Sequence, residues 1–359
     1  MMLLLGILMV YLVGAGILVR MSREFSWKEL IAFSFLIGIA VETFFMFICD
    51  VIGFQFYTVV LFFASFAVIV ACYDALYAYW LEKKKDIALP SFNLQRLNYP
   101  AAVLLLIILT LFYIITQKNL FWPTTEYDAI GSYDKMGIVM ALEGRIHVSL
   151  FQWGLQGSGG IYPPLFHGSL AYSYLFGGEQ PKVMTTLYYI SLLLGFYAII
   201  KKYTTTFMAL FFTLLLEMVP EMYSHAALLL SNMPTTAYVS GAALTLFVWL
   251  QSGERRYFLL SAILMGLCLW IRNDTVGFAI AGVLLVVLKL AKQKNWRDIA
   301  IYAITAFVTL LIWTLYLKFK VQIWPKECQD TSKQMGLFTD EHFLFAILSY
   351  VSQFFCDYR

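Results

Sequence analysis

Apolar residues in this chain fall into long, nearly unbroken runs separated by short polar stretches. The runs cover residues 2–19, 30–49, 54–80, 99–116, 185–200, 204–219, 235–250, 257–271, 275–290, 299–317 and 343–355. Most approach the ~20 apolar residues with which a helix crosses a bilayer. None shows the strict alternation of a membrane barrel strand. The pattern predicts an all-α polytopic transmembrane bundle. Two pieces break the rhythm: a polar island at 118–163 after the fourth run, and a short apolar piece at 164–176 behind it.

Whether 164–176 crosses sets the orientation of everything after it, and the basic residues decide between the options. With the amino terminus outside, Arg20, Arg23, Lys28, Lys83, Lys84, Lys85 and Arg96 are cytoplasmic and the polar island is external. A full crossing by 164–176 would send Arg255, Arg256 and the Lys292, Lys294, Arg297 cluster outside. If the piece is re-entrant, or rests in the outer leaflet, these groups and Lys201–Lys202 return to the cytoplasm. The expectation is therefore that 164–176 does not cross; the alternative is that 204–219 fails to cross instead. Residues 2–19 lack a basic leader and a small-residue cleavage site, so they read as a retained first span. Residues 1–98 then form an accessory bundle ahead of a working unit at 99–359 that carries the external loop 118–163.

Composition agrees with a lipid environment. Of 359 residues, 61% are hydrophobic and 13% charged, against about 25% charged in ordinary soluble domains. A net charge of +3 gives no reason to expect nucleic acid. Five cysteines have neither metal spacing nor pairing logic.

This topology gathers the candidate chemistry on the external side. Glu126 and Asp128 stand two apart just past a span, where carboxylates are expensive without a role. They suit proton abstraction or a divalent metal; the plainer reading is a pair of solvated loop acids. Asp134 and Glu143 read as solvated. Trp122 and Tyr127 fit an interfacial aromatic belt. Gly157-Ser158-Gly159-Gly160-Ile161-Tyr162-Pro163-Pro164 is either punctuation or a turn that brings His167 and a helix amino terminus beside Asp128. Glu217 reads as the water-facing end of its helix and His225 as a lone polar loop residue. Glu221 and His225, four apart, make a weak metal signal. Arg272 offers a fork for phosphate; the plainer reading is a local pair with Asp274 or an Asp274 cap on the next helix, and the two readings combine if Asp274 caps and Arg272 is free to reach a lipid phosphate. Glu42 and Asp74, inside apolar runs, are expected to find polar partners in the accessory bundle and no catalytic role.

Taken in order, these segments resemble the polytopic GT-C glycosyltransferases, particularly bacterial members that use polyprenyl-phosphate-linked sugars. The resemblance lies in Tyr127-Asp128-Ala129 with Tyr133 and Lys135, in Ile161-Tyr162-Pro163-Pro164-Leu165, in Asn232-Met233-Pro234, and in Gly266 through Asp274. Departures are Ile161, where an acid is common, and Asn232, where many relatives have Asp; Glu126 is the residue placed to replace the missing acid. The resemblance implies a GT-C bundle in a bacterial cytoplasmic membrane, with its site on the extracytoplasmic side. It implies inverting transfer from a polyprenyl-phosphate sugar to a glycan, lipid or protein acceptor. Asp128, with Glu126, would be catalytic. Lys135, Tyr162, His167, Glu221, Asn232, Arg272 and Asp274 would bind substrate, and the donor tail would lie along 164–176. No cofactor is required; the acids leave room for a divalent metal without calling for one. The alternatives are a transporter or flippase of a lipid-linked saccharide and a non-catalytic relative.

Overall fold

The computed structural model describes residues 1–84, 99–147 and 162–321. Lys85, Arg96, the glycine turn at 157–161 and the run at 343–355 lie outside the described residues. The helices are α1 (Met2–Met21), α2 (Trp27–Val51), α3 (Thr58–Ala71), α4 (Tyr73–Lys83), α5 (Tyr99–Phe121), α6 (Asp134–Glu143) and α7 (Leu165–Leu175). They continue as α8 (Lys182–Tyr203), α9 (Thr206–Glu217), α10 (Pro220–Ala226), α11 (Asn232–Ser252), α12 (Arg255–Leu269), α13 (Val276–Leu290) and α14 (Trp296–Tyr316). The described residues contain no strand. Met1–Trp313 forms one compact unit, and a second begins at Thr314.

Among the described residues seven helical segments are long and apolar enough to cross a membrane: α1, α2, α5, α8, α11, Asn273–Gln293 and Trp296–Val321. The chain thus has the helices of an integral membrane protein. Two expected spans are bent pairs. α3 and α4 meet at 57°, and α9 and α10 at 74°, the second bend falling at Pro220, which opens α10 and has no N–H to continue the preceding helix. α12 has 15 residues, roughly 22 Å, and is buried almost throughout.

Contacts between helix ends sort the bundle into two ends. At one, Ser26 and Glu29 form a reciprocal cap at the start of α2. The buried Glu29 also receives the Tyr257 hydroxyl at 2.7 Å and pairs with Lys202 at 3.2 Å, which ties together α2, α8 and α12. Arg256 meets Glu24 at 3.1 Å, Arg23 meets Glu82 at 3.5 Å and Arg255 meets Asp298 at 2.5 Å. The basic groups at 20–28, 201–202 and 255–256 therefore share one end, the grouping expected if 164–176 does not cross. α7, at 11 residues, is about 16 Å long and too short to traverse ~30 Å of hydrocarbon.

One expectation about α7 fails. It offers no open face to a lipid tail, because Leu165 through Ser173 are all buried. Gly137 of α6 packs on Leu170, Gly168 packs on Thr43 of α2, and the Tyr172 hydroxyl donates to the Gly6 carbonyl at 3.0 Å. A helix covered around its whole circumference belongs to the core. Glu42 and Asp74 do find partners: Ser65 donates to Glu42 at 2.6 Å, and Arg20 meets Asp74 at 2.6 Å.

α1 and α2 cross at near backbone contact. A Cβ on Gly14 would stand 1.8 Å from the Ser34 carbonyl oxygen, and one on Gly38 would stand 1.9 Å from that of Val10. Small residues permit such approach in membrane helix pairs. Gly38→Val must separate the helices, and we expect it to cost about 1–3 kcal/mol, read as a lowered thermal midpoint in detergent. An unchanged midpoint would contradict this packing.

Candidate functional site

At the end of the bundle away from the Glu29 cluster, polar side chains from distant segments meet around Tyr133. A π-helical turn, Ala129–Tyr133, runs from Asp128 into α6. It turns Tyr133 inward, where its ring lies nearly parallel to His167 (5.4 Å between centroids, 24°) and edge-on to Phe166 (5.5 Å). α7 is set in register by its first amide, since Leu165 N–H donates to the Trp270 carbonyl at 3.1 Å. Trp270 is itself stacked on Phe44 at 4.7 Å. That bond brings Tyr162 and the two prolines beside the residue that follows α12, Arg272.

Arg272 is the hub. Its Nη1 donates to Asn232 Oδ1 at 2.9 Å and to Ser231 Oγ at 3.5 Å. Its Nε donates to Asp274 Oδ1 at 3.0 Å, and Nη2 closes the fork on Oδ2. The guanidinium lies over the Tyr162 ring at 5.2 Å, a favourable cation–π position. Ser231 Oγ donates to Tyr133 Oη at 3.0 Å, so the hydrogen of the Tyr133 hydroxyl remains for another acceptor. Asn232 Nδ2 approaches His225 Nδ1 at 3.3 Å, and His225 Nε2 faces Glu221 at 3.4 Å. With Nδ1 accepting and Nε2 donating, His225 fits its neutral tautomer. The polar chain thus runs from Glu221 through His225, Asn232 and Arg272 to Asp274, with Ser231 branching to Tyr133.

Asp128 sits at the open edge of this group. It is exposed, and its side chain makes no hydrogen bond or ion pair among the described residues. Its negative charge and the positive charge of Arg272 both act on the Tyr133 phenol. Burial, foremost, raises that phenol above its ordinary range, with Ser231 and Arg272 opposing, so Tyr133 is a protonated donor at neutral pH. A guanidinium with five N–H groups and four acceptor contacts keeps one hydrogen, on Nη2, for a ligand. The site therefore offers two hydrogen-bond donors and a fixed positive charge, with a free carboxylate nearby.

The other expected residues are placed as follows. Glu126 accepts from the Thr125 amide at 3.3 Å and acts on Lys182, so the two acids of the loop face different neighbours. Lys135 is half-buried, without a hydrogen bond or ion pair among the described residues. His167 lies beneath Tyr133, 3% exposed. Burial holds its imidazole down to about 4, against a backbone hydrogen bond to Pro163, so it is neutral at pH 7. Glu221 is 85% exposed at the far end of the chain. Among the described residues no three metal-ligating side chains converge.

Several readings need correction. Asp274 caps no helix; Arg272 precedes its 3₁₀ turn and Thr275 precedes α13, and Asp274 is the partner of Arg272. Glu217 does not face water: it is buried and receives the Tyr189 hydroxyl at 3.2 Å. His225 is no lone loop residue but sits in α10 between Glu221 and Asn232. Asp134, expected to be solvated, accepts the Tyr174 hydroxyl at 2.5 Å and pins α6 to α7; burial, opposed by that bond, raises its carboxyl. Tyr133, Ser231 and His225 join the site although sequence alone marks Tyr133 only as part of a motif, His225 only as a weak metal signal and Ser231 with no role. Their signal was position: each lies within ten residues of a polar residue at a helix end.

Comparison with protein-family models, curated proteins and solved structures finds no match for this chain.

Proposed function

We propose that this protein is a membrane glycosyltransferase of the GT-C type. It moves a sugar from a polyprenyl-phosphate donor to an acceptor hydroxyl on the extracytoplasmic side of a bacterial cytoplasmic membrane. The observation that carries the proposal is that Asp128, whose side chain has no partner among the described residues, and the forked Arg272 both act on Tyr133, at the end of the bundle opposite the basic cluster. Cytoplasmic loops are enriched in Lys and Arg, which assigns the Glu29 end to the cytoplasm and the Tyr133 end to the outside.

The chemistry follows from the groups present. The acceptor oxygen attacks the anomeric carbon from the face opposite the phosphate, and its proton passes to Asp128. The bond from that carbon to the phosphate oxygen breaks, inverting the configuration. Charge that grows on the departing polyprenyl phosphate meets the spare Nη2 hydrogen of Arg272 and the Tyr133 hydroxyl, donors set in place before the reaction. Because α7 is covered, the donor tail is assigned to the open face of α5, where Phe121 and Trp122 are exposed, with Tyr127 exposed just beyond.

Glycans and lipid-linked intermediates from cells with and without the protein, compared by mass spectrometry, test this reading. The loss of one hexose or pentose, with accumulation of the acceptor lacking it, is expected; identical profiles contradict it. A second reading, transport of a lipid-linked saccharide, draws on one observation. Glu42 is fully buried inside α2, with Oε2 lacking a hydrogen bond among the described residues, and acids inside membranes often mark a path. Transport would survive Asp128→Asn and fail on Glu42→Gln; transfer shows the reverse.

A further inference from the structure

A second feature lies at the opposite end of the bundle and does not depend on the transfer reaction. α2, α5, α8 and α9 enclose a crevice of about 360 Å³. Its floor is buried, at Ile108, Leu193 and Leu210, while Trp27, Leu105 and Leu109 on its lips are exposed. Aliphatic and aromatic side chains make nearly all of the wall, as suits a hydrocarbon occupant. One charged group lines it, Lys28 at the start of α2.

The surroundings of Lys28 call for an anion. Its ammonium lies 5.6 Å from the Trp27 ring and 5.3 Å from the Tyr197 ring. The like charge of Lys201 also acts on it. No carboxylate pairs with Lys28 among the described residues. Its neighbour Glu29 is already taken by Lys202 and Tyr257, and among the described residues Lys201 reaches only the Thr204 carbonyl, at 3.3 Å. An ammonium group without a carboxylate partner among the described residues thus stands in the wall of an apolar slot, with the like charge of Lys201 acting on it.

We propose that the crevice holds one acyl chain of an anionic membrane phospholipid, with the headgroup phosphate seated on Lys28 and Lys201. A zwitterionic lipid fits the slot equally well but brings a cation toward two lysines. Charge, not shape, therefore sets the preference. One lysine near a membrane surface is worth about a fivefold gain toward anionic lipid.

The test is native mass spectrometry of the detergent-purified protein. It is offered an equal mixture of phosphatidylglycerol and phosphatidylcholine with identical acyl chains. Retention of phosphatidylglycerol at least about fivefold over phosphatidylcholine is expected. Lys28→Ala should reduce that preference about fivefold, and Lys28→Arg should keep it. Leu194→Trp, which fills the crevice, should lower retention of both lipids. Equal retention of the two lipids by the unaltered protein overturns the proposal, with no variant needed. So does an undiminished preference in Lys28→Ala, or unchanged retention in Leu194→Trp.

Discussion

Sugar transfer by the Asp128→Asn protein is expected to fall by about two to four orders of magnitude, the usual contribution of a positioned general base. The substitution keeps shape and removes the capacity to accept a proton. It should leave the fold intact, because Asp128 is exposed and its side chain bonds to none of the described residues. Transfer from a labelled polyprenyl-phosphate sugar in isolated membranes reads the loss. A thermal midpoint in detergent, expected to match the unaltered protein, separates lost chemistry from lost folding. Full activity in the asparagine variant would remove Asp128 as the base. A lowered midpoint would instead mean that the carboxylate has a structural partner.

The second large effect is expected at Arg272. Arg272→Lys keeps one positive charge but loses the fork that holds both Asp274 oxygens and Asn232 at once. Lysine is not equivalent at such a site. Loss of one preorganised group that stabilises transition-state charge costs about 10²–10³ in rate. The fall should lie mainly in kcat, because the phosphate gains charge as the sugar leaves. Because Arg272 keeps only 23% of its side-chain surface exposed and also bonds to Asn232, a lowered thermal midpoint is expected beside the kinetic loss, and rates are compared at a temperature where the variant is folded. An equal rise in KM with kcat unchanged would make Arg272 a binder of the ground state only.

The long helices could be read from hydropathy because a membrane helix must satisfy its backbone internally and face lipid with apolar side chains. The bends could not. Nothing in the run through Cys72 marks the 57° turn between α3 and α4, whereas Pro220 did mark the bend before α10. Length and location suggest a lipid-facing α7, whereas Gly168, Ala171 and Tyr172 on one side of it are the close-packing residues that seat it against α2, α6 and α1. At the site, Asp128, Asn232 and Arg272 stood out because ionisable and amide groups are conspicuous beside apolar runs. Tyr133 and Ser231 are ordinary residue types in a chain with 23 tyrosines. Their part follows from a hydrogen bond between segments 98 residues apart, which local pattern does not encode. Glu217 was misread for the complementary reason: helix ends are expected to be wet, and its wall, Tyr189, comes from another helix.

The most direct measurement is the side of the membrane on which each end of the bundle lies. In a version whose own cysteines are replaced by serine, single cysteines are placed at Tyr127, beside Asp128, and at Lys292, between the two helices whose ends meet the Arg255 region. An impermeant maleimide is applied to intact cells. The proposal predicts labelling at position 127 in intact cells, and at position 292 only after permeabilisation. Labelling of both from the same side, or of position 292 alone in intact cells, would contradict it.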